Sequence, residues 1–127
     1  MFKFIEGLPE DVLGVEASGK VTHEDYINVL IPKAEALMDK HKKIKFLYVV
    51  GAGFEGFELG AMWDDTAYGL KHWHDFTHIA LVTDLQWIKS MFAMFVPFFP
   101  GQVRGFGLNE LEDAKNWLVE ESRKEAA

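Results

Sequence analysis

A continuous apolar run near the middle of the chain reads Ile44-Lys45-Phe46-Leu47-Tyr48-Val49-Val50, and a second run reads Phe76-Thr77-His78-Ile79-Ala80-Leu81-Val82-Thr83. Mostly apolar runs of this length are typical of strands that are covered on both faces, as in a parallel sheet. Parallel neighbours need a crossover, and the segment between the two runs is long enough to hold a helix. The two runs therefore predict central strands of an α/β domain.

Shorter elements precede the central strands. Phe2–Ile5 and Val12–Ala17 are apolar runs separated by a turn-rich segment that is too short for a crossover helix, so they predict an antiparallel hairpin. Thr22 predicts the N-cap of the first helix. Pro32 lies inside the helical pattern and predicts a kink or break near 28–31.

The elements after the first central strand alternate between helix and strand. We predict a glycine-rich loop over Gly51–Gly60, a helix carrying Leu59 to Trp73, an aromatic helix over Leu85–Pro97 and a last strand over Val103–Phe106. Asn109 with Glu112 predicts a capping-box start for a final helix. The order ββαβαβαβα predicts a mainly parallel sheet, with its first strand antiparallel at one edge. We expect one domain over residues 1–127.

The composition excludes several classes of site. The chain has no Cys, which excludes a disulfide, a thiolate metal site and a cysteine nucleophile. Its 20 acidic residues against 13 Lys and Arg give a formal charge of -7, which opposes binding to nucleic acid. No hydrophobic run approaches the roughly 20 residues that span a bilayer. We therefore expect a cytoplasmic protein that binds no nucleic acid and that contacts the inner membrane face peripherally.

Three groups of residues carry a resemblance to a known family. They are Thr22, Asp25 and Tyr26; His78-Ile79-Ala80-Leu81-Val82 with Asp84 and Trp87; and Val103-Arg104 with Phe106, Glu110, Ala114 and Trp117-Leu118. In this order and spacing the sequence resembles the SpoIIAA-like family of small proteins, which are related in fold to STAS domains. The resemblance implies an α/β, STAS-like fold with a five-stranded mixed, mostly parallel sheet flanked by four helices. It also implies no established catalytic activity and an association with nonpolar ligands or membranes.

The chain departs from true STAS regulators at one place. Anti-sigma-factor antagonists carry a phosphorylatable serine where the third strand gives way to the second helix. Here that place reads Gly51-Ala52-Gly53-Phe54-Glu55-Gly56-Phe57-Glu58, with no hydroxyl before Thr66. Its acidic residues would repel a phosphate, so the phosphoswitch is absent in our interpretation. They also argue against a dinucleotide, although the stretch fits the pattern G-x-G-x-x-G.

The aromatic helix is the most informative segment for function. At about 100° per residue, its large apolar side chains cover roughly 200° of arc, whereas a helix on a sheet needs little more than roughly 100°. The surplus predicts an apolar surface, which Phe54 and Phe57 are expected to join at the C-terminal edge of the strands. The predicted ligand-binding residues are Phe54, Phe57, Trp63, Trp87, Met91, Phe92, Met94, Phe95, Phe98 and Phe99.

These residues favour a non-enzymatic protein whose apolar cleft binds a lipid or another nonpolar small molecule, without a cofactor, at a membrane surface. An alternative is a STAS-derived interaction module that uses the same surface for a homodimer or another protein partner. A third hypothesis is an enzyme that uses His72 and His74 with Asp64 and Asp65. The spacing of these histidines is poor for a shared metal, so we predict no catalytic residue and no metal ligand.

Overall fold

The computed structural model describes residues 1–58 and 75–126, with the side chains of residues 95, 125 and 126 excepted. The predicted helix carrying Leu59 to Trp73 lies outside the described residues, and so do Trp63 and the group of His72, His74, Asp64 and Asp65. The described strands are β1 (Phe2–Phe4), β2 (Val12–Val21), β3 (Ile44–Phe57), β4 (Phe76–Thr83) and β5 (Gln102–Phe106). The described α-helices are α1 (His23–Asp25), α2 (Ile31–His41), α3 (Gln86–Phe95) and α4 (Leu111–Ala126).

The five strands form one mixed sheet. Their order is β1-β2-β3-β4-β5, in which β1 pairs antiparallel with β2 and every other pair is parallel. The predicted five-stranded, mostly parallel sheet is therefore confirmed, with β1 antiparallel at its edge. Four α-helical pieces are described around it, in agreement with the predicted α/β architecture.

Strand β3 is longer than its apolar run. The prediction of a glycine-rich loop from Gly51 is wrong up to Phe57, because the strand continues through these residues. Strand β2 is also longer than predicted, and it supplies partners in the pairs Gly19↔Phe54 and Val21↔Phe57, after an irregularity that follows Ala17. Backbone pairing with β2 thus holds the glycine-rich stretch extended.

The helical segment after β2 begins where the sequence predicts. The Thr22 hydroxyl accepts a hydrogen bond from the Asp25 N–H at 3.2 Å, and the Asp25 carboxylate accepts one from the Thr22 N–H at 2.9 Å. The irregularity expected before Pro32 is a π-helix over Tyr26–Leu30, in which the Ile31 N–H donates to the Tyr26 carbonyl. Pro32 then stands in the first turn of α2, where its missing N–H costs least.

The last helical segment begins earlier than predicted, with a 3₁₀ turn. Leu108–Glu110 form a 3₁₀ turn ahead of α4, and the Glu110 carboxylate accepts a hydrogen bond from the Gly107 N–H at 2.9 Å. The predicted box of Asn109 with Glu112 is therefore wrong. Gly107 takes the cap position because the 3₁₀ turn moves the start of the helix upstream.

The sheet has a separate apolar core on each face. On the α3 face, Tyr48 and Leu81 of the strands share one core with Leu30 and Ile88 of the helical segments. The α4 face carries a second core, whose buried members include Leu47, Val49, Ala80, Val82, Ala114 and Leu118. Successive strand residues belong to opposite cores, as the two-residue period of a strand requires.

Buried polar groups join α4 to the sheet. The ammonium of the fully buried Lys45 lies 2.9 Å from the Asp11 carboxylate, which also accepts a hydrogen bond from the Ser122 hydroxyl at 2.5 Å. Burial alone would raise the pKa of Asp11, but the hydrogen bonds from Ser122 and Lys45 and the charge of Lys45 lower it. On the neighbouring strand, His78 lies 3.5 Å from the Glu121 carboxylate.

Candidate functional site

Helix α3 carries the surplus of apolar side chains. It follows Leu85, whose N–H donates to the Thr83 hydroxyl at 3.1 Å, and it passes into a 3₁₀ turn over Val96–Phe98. Ile88 is the one described α3 side chain that is classed as buried. The other described side chains of this apolar helix are therefore at least partly exposed, as the sequence pattern predicts.

Three of the predicted residues meet at the start of α3. The Phe54 and Trp87 rings stack with centroids 6.0 Å apart, and Phe57 contacts Phe54 at 5.0 Å and Trp87 at 6.4 Å. We call these residues the aromatic triad. The expected meeting of Phe54 and Phe57 with the aromatic helix is confirmed. Phe54 is buried, whereas 49% of Trp87 is exposed, so the triad extends from the core to the surface.

The end of α3 and the following 3₁₀ turn expose large apolar side chains. Met94 is 74% exposed, Phe98 is 72% exposed, and Val96 between them is also exposed. We call these three residues the apolar tip. Met91, Phe92 and Phe99 are half-buried, and Phe92 contacts Tyr48 with ring centroids 6.4 Å apart. The side chain of Phe95 lies outside the description.

An open groove of about 320 Å³ lies between α3 and the edge strand β5. It is lined by Leu81, Lys89, Phe92, Ala93, Val96, Val103, Gly105, Phe106, Gly107 and Glu110. All of these except Lys89 and Glu110 are apolar. We call this feature the α3–β5 groove.

The groove exists because β5 carries little side-chain volume opposite α3. Gly105 pairs in register with Leu81, and Val103 pairs with Ile79, so these β5 residues share the α3 face of the sheet. A Cβ atom added to Gly105 would meet no atom within 4 Å. The missing side chain at Gly105 therefore leaves open space above the edge of the sheet.

Among the predicted ligand-binding residues whose side chains the structure describes, Phe92 is the one that lines the α3–β5 groove. The aromatic triad lies at the start of the helix, where Trp87 meets Phe54 and Phe57 of β3. The apolar tip shares only Val96 with the groove lining. Sequence reasoning missed the contributions of Lys89, Val103 and Gly105. A signal was present in the alternation of Val103 and Gly105 with the larger Arg104 and Phe106 along the last strand.

Within residues 1–58 and 75–126, no group of three or more His, Asp and Glu side chains could hold a metal ion. In the same residues, no helix is long and apolar enough to cross a membrane.

Comparisons with known proteins place the chain in a family. No curated protein matches it. It is similar to the crystal structure of an uncharacterized protein from Shewanella loihica PV-4, of the DUF3478 family and with a SpoIIAA-like fold. The two are 27% identical with a TM-score of 0.72, over 93% of this chain and 92% of that chain. A model of the SpoIIAA-like family matches residues 12–119, and the chain therefore belongs to the SpoIIAA-like family.

Proposed function

We propose that this protein binds a nonpolar, lipid-like small molecule without chemically changing it, and that α3 is the binding element. The observation that carries the proposal is the α3–β5 groove. Its volume of about 320 Å³ is at the lower end of the range of roughly 300–1,000 Å³ for small-molecule sites. Its lining of apolar side chains with two polar groups is also typical of such sites.

The size and lining of the groove favour a single alkyl chain. Each methylene group moved from water to an apolar surface contributes roughly 0.8 kcal/mol. A medium-length chain along Phe92, Val96 and Val103 would gain this free energy for each methylene group that the groove covers. The groove is too small for the two acyl chains of a phospholipid, so the proposed ligand has one chain.

The apolar tip suits contact with a membrane from which such a ligand is taken. Met94 and Phe98 are the two most exposed large apolar side chains in the described part of the chain, and Val96 belongs both to the tip and to the groove lining. The net charge of -7 opposes attraction to anionic lipids, so contact would depend on apolar insertion. High salt should therefore not abolish it.

Native mass spectrometry after incubation with a lipid extract tests the proposal. The Gly105→Leu variant fills the α3–β5 groove, and Gly53→Leu is a matched control, because Gly53 is also an exposed strand glycine with no atom within 4 Å of an added Cβ. We expect a single-chain adduct on the wild type and on Gly53→Leu that is lost from Gly105→Leu. A clean apo mass for the wild type, or equal adducts on all three proteins, would contradict the proposal.

The exposure of the apolar tip also favours a second candidate function. An interaction module would use Met94 and Phe98 to form a homodimer or to bind another protein. Analytical ultracentrifugation of the wild type against Phe98→Ser separates the two functions, with Ile27→Ser as the control because Ile27 is an exposed apolar residue on another helical segment. The interaction function requires an assembly that Phe98→Ser dissociates and Ile27→Ser does not.

A further inference from the structure

We infer that the α3–β5 groove binds a single-chain fatty carboxylate, with the carboxylate at Lys89 and the alkyl chain running towards Val96 and Val103. This inference rests on the proposed function and names the chemical class of its ligand. It follows from the direction of the groove and from the hydrogen-bond partners of its charged groups.

The topology gives the groove a polar end and an apolar end. Strands β4 and β5 are parallel, and α3 runs back from the end of β4 towards the start of β5. Lys89 in the first half of α3 therefore lies level with the end of β5, near Gly107 and Glu110. Val96, after the end of α3, lies level with Val103 near the start of β5. Both charged lining residues are thus at the C-terminal edge of the sheet.

The two charged groups at this end differ in their partners. The Glu110 carboxylate accepts a hydrogen bond from the Gly107 N–H at 2.9 Å, and the nearby Asp84 carboxylate accepts one from the Leu108 N–H at 3.0 Å. Lys89 is half-buried beside the apolar lining, and its ammonium forms no ion pair within residues 1–58 and 75–126. An anionic head group would complement this cation. The two carboxylates already accept hydrogen bonds from backbone N–H groups at the start of the last helical segment.

A carboxylate is the anion that fits this arrangement best. An ammonium forms stronger hydrogen bonds to a charged acceptor than to a neutral one. The chain's charge of -7 disfavours anions at long range, so the preference must come from this local contact. Neutral and cationic head groups on the same alkyl chain are therefore the informative competitors.

Isothermal titration calorimetry with decanoate, decanol and decylammonium tests the inference, with the two ions kept below their micelle-forming concentrations and decanol kept below its solubility limit. We expect the wild type to bind decanoate roughly fivefold more tightly than decanol at low salt, and decylammonium most weakly. The Lys89→Gln variant should lose the preference for decanoate, and Lys89→Arg should keep it. Lys20→Gln is the control, because Lys20 is exposed on β2 and its loss changes the net charge by the same amount.

The outcomes separate the inference from the proposed function. Equal affinities for decanoate and decanol in the wild type would overturn the inference and leave the function standing, as would tighter binding of decylammonium. A preference for decanoate that survives in Lys89→Gln would also overturn it. Failure of all three ligands to bind the wild type would overturn the proposed function itself.

Discussion

Helices α3 and α4 pack on opposite faces of one sheet, and they use their apolar side chains differently. On α4, Ala114 and Leu118 are fully buried, and most of its exposed positions carry charge. On α3, Ile88 is buried to the same degree, while Trp87 and Met94 remain exposed. Packing against the sheet explains the apolar stripe of α4, but it explains only part of the apolar surface of α3.

The two helices also differ in their polar contacts. Ser122 and Glu121 of α4 contact Asp11 and His78 respectively. Within the described residues, no α3 side chain forms an ion pair. The polar contacts of α4 indicate that this helix contributes to stability. The lack of such contacts on α3 is consistent with the binding role proposed for its outer surface.

The largest expected effect contrasts a core residue of α4 with a surface residue of α3. Leu118→Ala removes a fully buried side chain and should lower the free energy of unfolding by about 3 kcal/mol. Met94→Ala should change it by less than about 0.5 kcal/mol, because the Met94 side chain is mostly exposed. Urea denaturation followed by circular dichroism measures both. Similar losses for the two variants would contradict the difference between the helices.

The next effect concerns the polar contacts of α4. Asp11→Asn should lower the free energy of unfolding by about 2 kcal/mol at neutral pH, because it weakens hydrogen bonds to the Lys45 ammonium and Ser122. The lowered pKa of Asp11 means that its contribution is fully present above the ordinary value of 3.8 and is lost as the pH falls through the folded-state pKa. Urea midpoints between pH 7 and acid should therefore converge for the two proteins. A constant difference across this range would contradict the assignment.

The smallest effect on stability is expected at the apolar tip. Phe98→Ser removes a side chain that is 72% exposed, so the free energy of unfolding should change by less than about 0.5 kcal/mol. The same change should reduce flotation of the protein with neutral phosphatidylcholine vesicles, since it removes apolar surface available for insertion. Ile27→Ser is the control for loss of an exposed apolar side chain elsewhere. Unchanged flotation of Phe98→Ser would remove the tip from the proposal.

Local patterns predicted most of the fold. The apolar runs at Ile44 and Phe76 identify the central strands, and Thr22 identifies a helix start, because each signal depends on neighbouring residues. The extension of β3 to Phe57 depends on pairing with β2, which is distant in sequence. The glycine-rich composition of this stretch gives no local signal for a strand. The cap at Gly107 was missed because glycine offers no capping side chain of its own.

The candidate site was predicted less completely than the fold. The surplus of apolar residues on α3 and its contact with Phe54 and Phe57 follow from helical periodicity and strand direction. The groove itself depends on the absence of a side chain at Gly105. Gly105 lies on β5, which follows α3 in the chain after a short 3₁₀ turn. A composition pattern marks the residues that are present and gives little indication of space between elements.

Nuclear magnetic resonance of protein labelled with ¹⁵N at its 11 glycines tests the central claim most directly. The account predicts that decanol shifts the amide signal of Gly105 in a saturable manner, with a smaller shift at Gly107 on the groove lining, and leaves Gly53 unmoved. A Gly105 signal that does not respond, or a uniform shift of all glycines, would contradict binding in the α3–β5 groove.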